Sequence, residues 1–175
     1  KKRYMLSAQL SYDITDWLNI SGRVRVDNTH TKYEQKLYAS SNLTITEEST
    51  QGHYTISKPD ETQTYADVLA NINKRFNDFS LVANVGASIV NNRYEDLSYR
   101  GPIREKGIPN VFNVFDLDNT KKKARQDEWQ EQTQSIFASV EVGWKSMLYL
   151  TLTGRNDWAS QLANSSTPCF FYPSV

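Results

Sequence analysis

An alternation of apolar and polar residues, broken only at single positions such as Phe137 and Tyr149, constrains this chain most, because it recurs in six separate stretches. Residues 6–11 are an example, with every even position apolar and every odd position polar. Successive side chains of a β-strand point to opposite faces, so this period predicts strands with one apolar and one polar face. The six predicted strands cover residues 4–13, 17–27, 62–76, 79–89, 133–144 and 147–157.

Short and long connections alternate between these strands. The short ones are residues 14–16, 77–78 and 145–146, whereas the long ones are residues 28–61 and 91–132, and another begins after Trp158. Because successive strands run in opposite directions, all short turns should fall at one end and all long connections at the other. Outer-membrane β-barrels have this asymmetry, with short periplasmic turns and long extracellular loops.

Charged side chains indicate which face meets lipid. Five of them share the polar-face parity: Arg23, Arg25, Asp67, Glu141 and Arg155. An arginine or lysine facing lipid at mid-membrane costs about 2–4 kcal/mol, so their absence from the apolar face suits contact with lipid. Ten residues span roughly 33 Å along a strand, which a tilt of about 40° reduces to roughly 25 Å, the height of a barrel's apolar band. The polar face should then line a wet lumen.

Aromatic residues mark the strand ends, as expected at membrane–water interfaces. One set lies beside the short turns: Trp17, Phe76, Phe79 and Trp144. A second set lies toward the long connections: Tyr4, Trp129 and Trp158. Lys74 has apolar-face parity, but it lies two residues from a strand end, where its long stem can carry the ammonium group to the interface.

Composition is compatible with a membrane barrel and also with a soluble protein. The 175 residues have zero formal net charge and are 38% hydrophobic, so nucleic acid is not an expected partner. There is no apolar run of about 18 residues, and hence no transmembrane helix is predicted. Cys169 stands alone, which excludes a disulfide framework and a cysteine metal site.

No motif predicts catalysis, a metal site or a cofactor. His30 and His53 lie in the first long connection without the carboxylate or cysteine spacing of a metal site. Residues 116–119 resemble the start of a Ca²⁺ loop but lack its later glycine and glutamate, so a turn made by Asp and Asn side chains is favoured. Nucleophile-elbow and phosphate-loop motifs are missing. We therefore expect a protein that is not an enzyme.

The long connections carry two further features. The basic run at residues 121–125 is expected to be a solvated loop, although an outward position would also allow contact with lipopolysaccharide phosphates. Loop aromatics could stack on sugars or pack the loops together, and the sequence does not separate these roles: Tyr33, Tyr38, Tyr54, Tyr99, Phe112 and Phe115. The residues that contact substrate are therefore unknown from the sequence.

Several segments resemble SusC/RagA-type TonB-dependent outer-membrane transporters. Residues 149–158 read YLTLTGRNDW and residues 170–175 read FFYPSV, and this pair is similar to a signature of the family. Residues 106–110, KGIPN, are similar to a loop segment of the family, and residues 13–18 and 77–81 resemble its periplasmic turns. The stretch 159–169 between the signature segments is not diagnostic.

The resemblance implies a section of a 22-stranded barrel in the outer membrane, importing glycans or peptides. It also implies a SusD-like surface lipoprotein partner and energy from the TonB complex. Residues 1–175 are then expected to be part of one barrel domain, with the plug and the remaining strands lying outside them.

Two alternatives stay open beside this interpretation. A soluble all-β ligand-binding or adhesion module would show the same alternation, but its apolar faces would pack on each other. A passive porin would also have a two-faced barrel wall, but it would lack a plug domain.

Overall fold

The computed structural model describes residues 1–166 and 168–175. The described residues form nine β-strands: β1 (Lys2–Thr15), β2 (Leu18–His30), β3 (Tyr33–Tyr38), β4 (Gly52–Ser57), β5 (Asp60–Phe76), β6 (Phe79–Pro102), β7 (Lys123–Trp144), β8 (Leu148–Ala159) and β9 (Cys169–Ser174). One 3-10 turn covers Ser160–Leu162. No helix in the described part of the chain is long and apolar enough to cross a membrane.

All nine strands belong to one antiparallel sheet that is not closed. Its main order is β1-β2-β5-β6-β7-β8-β9, and β4 pairs with both β3 and β6. The six predicted strands are confirmed as β1, β2, β5, β6, β7 and β8, and the predicted fold, an all-β section of a barrel, is confirmed with them. The sheet has three strands more than the six predicted.

Two of the additional strands, β3 and β4, form a hairpin inside the first predicted long loop. The hairpin is paired from Tyr33↔Ser57 to Tyr38↔Gly52, and β4 then pairs with β6 from Ser57↔Ser98 to His53↔Pro102. This pairing continues the ladder of β6 well beyond its apolar stretch. As a result β6 has 24 residues and β7 has 22, and the prediction that residues 91–132 form one loop is wrong.

The third additional strand is β9, which pairs with β8 from Trp158↔Cys169 to Thr153↔Ser174. This strand could not be predicted from the sequence, because its six residues include three consecutive aromatics and show no alternation. The family-like FFYPSV segment is thus placed directly beside the family-like YLTLTGRNDW segment.

The chain divides into two compact units. We call them the loop unit, comprising Lys1–Tyr4, Asn28–Glu61 and Arg93–Trp129, and the wall unit, comprising Met5–Asp27, Thr62–Asn92 and Gln130–Val175. The short turns between β1 and β2, between β5 and β6 and between β7 and β8 all belong to the wall unit. The two longest connections belong to the loop unit.

The loop unit has a small core built around a single strand end. Ile103 and Leu117 are each 1% exposed, and they form an isolated bridge. The backbone N–H of Ile103 donates to the carbonyl of Gly52 at 2.9 Å, and the Ser49 hydroxyl donates to the Ile103 carbonyl at 2.8 Å. Buried backbone groups are thus hydrogen-bonded, as a stable loop structure requires.

Candidate functional site

The candidate functional site is the two-faced sheet of the wall unit, and its apolar face is exposed. Val85, Ile136 and Leu150 are 47%, 54% and 53% exposed. Of the buried apolar residues in the described chain, only Ala83 belongs to the wall unit. A soluble antiparallel sheet packs this face on a core. Here the face lacks such cover within the described residues, as expected for a surface that meets lipid.

The apolar band has a definite height along β6 and β7. On β6 it runs over residues 79–89, and on β7 over residues 136–144. Beyond it the same face becomes polar, with Asn91 followed by Arg93 on β6. The Gln130 side chain donates a hydrogen bond to the side chain of Asn91 at 2.9 Å. Eleven residues of strand span roughly 36 Å, which a tilt of about 40° reduces to roughly 28 Å, close to the height of a barrel's lipid-facing band.

Aromatic rings and lysines meet where the band ends beside the short turns. The Lys74 ammonium lies 4.7 Å from the centre of the Trp17 ring and 5.1 Å from that of Phe76. The Lys145 ammonium lies 5.3 Å from the centre of the Trp144 ring. These cation–π contacts place the charged ends of both lysines at the aromatic rim. The Lys74 ammonium group therefore lies among the aromatic rings beside the short turn.

Trp129 lies within a strand, and not at a strand end beside a long connection as predicted from the sequence. Since β7 continues without interruption to Lys123, Trp129 has the parity of Ser135 and Glu141 on the polar face. Its ring stacks on that of Tyr94, with centroids 5.5 Å apart and an interplanar angle of 12°. The prediction was wrong because the length of β7 was underestimated.

The polar face of the wall unit carries the predicted charges in hydrogen-bonded groups. Two guanidinium nitrogens of Arg23 donate to the same Asp67 oxygen at 2.7 and 2.9 Å. The same guanidinium lies over the Tyr65 ring at 5.3 Å, and Arg25 donates to Gln63 at 3.4 Å. Such exposed pairs contribute about 0–1 kcal/mol each, so their main effect is to define a hydrated surface.

A second polar group joins β7 and β8. The Arg155 Nε donates to both carboxylate oxygens of Asp157 at 2.7 and 3.0 Å, and another Arg155 nitrogen donates to the Ser135 hydroxyl at 3.1 Å. Nearer the turn, the Thr151 hydroxyl donates to Glu141 at 3.2 Å. The prediction that these charges share one face of the sheet is confirmed.

Two aromatic residues that interrupt the polar alternation cover glycines on that face. A Cβ on Gly86 would lie 2.6 Å from the Phe137 ring, and a Cβ on Gly143 would lie 2.8 Å from the Tyr149 ring. Gly143 and Tyr149 are also directly paired across β7 and β8. Rings lying over strand glycines restore packing that the missing side chains would supply. These contacts with Gly86 and Gly143 explain why residues 137 and 149 are aromatic.

The family-like IPN segment anchors the loop unit. Asn110 has a φ of 64°, its side-chain oxygen accepts a hydrogen bond from the Ala39 backbone at 2.7 Å, and its own N–H donates to the Gln51 carbonyl at 3.0 Å. Asparagine tolerates this left-handed conformation better than most residues. The segment therefore ties together three parts of the loop unit.

Three of the loop aromatics pack together. The Phe112 ring lies 5.3 Å from that of Tyr38 and 6.0 Å from that of Tyr54. The Tyr54 hydroxyl donates to Glu34 at 2.6 Å. Burial, together with this hydrogen bond and the Glu34 charge, raises the pKa of Tyr54 to about 12. Phe115, in contrast, is 80% exposed. Packing within the loops thus accounts for three of the six aromatics.

The remaining sequence-based candidates have local partners. His30 forms an ion pair with Asp60, and Asp118 accepts hydrogen bonds from the Thr120 backbone and hydroxyl at 2.8 and 2.6 Å, which forms the expected side-chain turn. Lys122 donates to the Asn119 side chain at 2.7 Å. Within the described residues, no group of three or more His, Cys, Asp and Glu side chains is placed to hold a metal ion.

His53 is a buried histidine, and no pattern in the sequence indicated its burial. It is 5% exposed, and its Nε2 lies 3.6 Å from Glu47, which accepts a hydrogen bond from Arg100 at 3.1 Å. Its Nδ1 has no hydrogen-bond partner within the described residues. Burial, partly opposed by the Glu47 carboxylate, lowers the pKa of His53 below its ordinary value. The folded loop therefore favours neutral His53.

We expect β4 to become less stable as the pH falls below about 6.5, the ordinary pKa of histidine. Between the lowered pKa of His53 in the folded loop and its ordinary pKa in the open loop, the open loop binds more protons than the folded loop. The stability of the folded loop is therefore complete above the ordinary pKa and is lost as the pH falls toward the lowered pKa. Amide hydrogen exchange of residues 52–57 at pH 8 and pH 5 measures this change. The variant His53→Gln should remove the difference, and an unchanged pH dependence in that variant would contradict the assignment.

Comparisons with known proteins were made at the level of sequence and of structure. Neither protein-family models nor curated protein sequences match this chain. The structure of the RagAB peptide transporter matches with a TM-score of 0.76 at 14% sequence identity, covering 98% of this chain and 20% of that one. The structure of that peptide importer in its "open-open" state matches with a TM-score of 0.74.

A siderophore receptor also matches in structure. BauA, the ferric preacinetobactin receptor from Acinetobacter baumannii, gives a TM-score of 0.57 at 17% identity, covering 98% of this chain and 26% of that one. This chain therefore spans about a fifth to a quarter of the length of the structures it matches. The chain has the all-β fold of an open section of barrel wall, and it shares this fold with the RagAB peptide transporter, which confirms at the level of fold the resemblance to SusC/RagA-type transporters.

Proposed function

We propose that this chain forms part of the wall of a TonB-dependent outer-membrane transporter. The observation that carries the proposal is the division of the sheet into an exposed apolar band over residues 79–89 and 136–144 and an opposite face that bears the ion pairs. In a bilayer the apolar band meets hydrocarbon, and the polar face lines a hydrated lumen. A soluble all-β module would have to cover the apolar face with protein.

The work of such a wall is structural and conductive, and it involves no bond chemistry. Backbone groups of the strands between the two edge strands, β1 and β9, are satisfied by sheet pairing, which is what a membrane-crossing strand requires. The side chains on the polar face largely hydrogen-bond to each other, as between Arg23 and Asp67. Substrate would pass when a plug domain, lying outside this chain, rearranges with energy from TonB. A plug would also distinguish the transporter from a passive porin.

Oligopeptides are the substrate class that we favour, with glycans as the alternative, and a SusD-like surface lipoprotein would be the partner. The fold match to the RagAB peptide transporter supports peptides, and the family resemblance in residues 149–158 and 170–175 supports both classes. The weaker match to a siderophore receptor makes ferric siderophores a further candidate to include in a test.

Uptake by cells that express or lack the intact parent gene tests this function. We expect labelled oligopeptides to enter only the expressing cells, and we expect uptake to stop when TonB is deleted, because TonB supplies the energy. Labelled glycans and a ferric siderophore serve as parallel substrates. Uptake that continues without TonB would indicate a passive porin, and a parent protein that is monodisperse without detergent would exclude the membrane assignment.

A further inference from the structure

A basic pocket lies in the loop unit where two short linkers meet. Residues 31–32 join β2 to β3 and residues 58–59 join β4 to β5. The backbone N–H of Thr31 donates to the carbonyl of Pro59 at 2.9 Å, which holds the two linkers together. The pocket has a volume of about 440 Å³, and its ionisable lining residues are Lys1, Lys2, Lys32, Lys58, His30 and Asp60.

The pocket carries an excess of positive charge. Among the described residues that line it, Asp60 alone has a carboxylate. That carboxylate is engaged by His30 in an ion pair and accepts a hydrogen bond from Asn28 at 2.8 Å. Outside the lining, Glu34 binds the ammonium group of Lys32 at 3.0 Å. Lys1, Lys2 and Lys58 add three further positive charges to a lining with one carboxylate, which favours an anionic ligand.

The position of the pocket along the strands points to the kind of anion. Lys2 and His30 have apolar-face parity, and Lys2 is two residues from Tyr4, or roughly 7 Å along β1. The Tyr4 ring is 60% exposed and lies edge-on to His30, with centroids 6.1 Å apart. Basic groups beside an exposed aromatic ring are the combination expected at the depth of lipid headgroups.

We propose that this pocket binds the phosphate group of a phosphorylated lipid headgroup in the outer leaflet, an inference that rests on the proposed membrane location. Ammonium groups bind phosphate oxygens through charge-assisted hydrogen bonds, and the volume also admits the sugar or glycerol attached to the phosphate. The basic run at residues 121–125 fits this role less well. There Lys121 donates to the Glu47 carbonyl at 3.3 Å, and Lys122 donates to Asn119.

Binding of defined lipids to the intact, detergent-purified parent protein tests the proposal by native mass spectrometry. The probes are lipid A with both phosphates, lipid A without phosphates, and inorganic phosphate. We expect the variant Lys2→Gln/Lys32→Gln/Lys58→Gln to bind phosphorylated lipid A roughly 100-fold more weakly than wild type. The control Lys121→Gln/Lys122→Gln/Lys123→Gln makes the same change in charge and should bind like wild type.

An arginine variant, Lys2→Arg/Lys32→Arg/Lys58→Arg, guards against a loss caused by misfolding, because it keeps the charge and should keep the affinity. Equal binding of lipid A with and without phosphates would overturn the proposal. So would inorganic phosphate binding as tightly as the lipid, or an equal loss in the control variant. The readout does not depend on transport, so failure here and failure of the uptake experiment are distinguishable.

Discussion

The variant Leu152→Arg is expected to lower the free energy of unfolding of the membrane-inserted parent barrel by about 2–4 kcal/mol. Leu152 pairs with Val140 near the middle of the apolar band, and its side chain is 48% exposed in the sheet. If that exposed side chain meets hydrocarbon, a guanidinium there must be dehydrated or drawn toward the interface. Urea unfolding of the protein in lipid vesicles measures the loss.

The neighbouring variant Thr153→Arg is a matched control. Thr153 is also exposed, but it points to the opposite face and pairs with Ser139. On a hydrated face an arginine at this position should change the free energy of unfolding by less than about 1 kcal/mol, as is usual for surface substitutions. Equal effects of the two variants would show that the apolar face does not contact lipid.

The variant Gly52→Ala is expected to destabilise the β3–β4 hairpin by about 1–3 kcal/mol or more. Gly52 has a φ of 114°, a conformation that residues with a Cβ rarely adopt, and a Cβ there would lie 2.6 Å from the Leu37 carbonyl oxygen. Because the Gly52 carbonyl also accepts the hydrogen bond from Ile103, the strain should spread into the loop core. Faster amide hydrogen exchange in residues 33–38 and 52–57 is the expected readout.

Gly154→Ala provides the comparison for this prediction. The nearest atoms to a Cβ on Gly154 belong to the Phe171 ring at 3.4 and 3.5 Å, which are ordinary contact distances. The same chemical change should therefore leave exchange in the hairpin unaffected. If Gly52→Ala likewise left the protection of residues 33–38 unchanged, the backbone at Gly52 could not be strained in the way the structure indicates.

The barrel-wall part of the fold could be predicted residue by residue. The alternation predicted six strands whose central residues lie in β1, β2, β5, β6, β7 and β8. Turn residues such as Asn77 indicated where these strands end. Asn77 has a φ of 49°, a conformation for which asparagine is well suited. These signals are local, because the facing of a strand residue depends only on its position relative to its neighbours.

The loop unit could not be predicted in the same way. Pairing of Ser57 with Ser98 and burial of His53 depend on segments about 40 residues apart in the chain. The face on which Trp129 lies depends on how far the pairing of β4 with β6 extends β6 and β7. The basic pocket likewise needs Lys2 to come beside Lys32 and Lys58, which no short sequence window records.

The order of side chains along this chain was thus enough to specify a sheet with one apolar face and one polar face. A period of two imposes that division wherever the backbone is extended. The lengths of the long strands, the anchoring of the loops and the pocket lined by lysines arise from contacts between distant segments. Those contacts depend on hydrogen-bond partners and burial that exist only once the sheet has assembled.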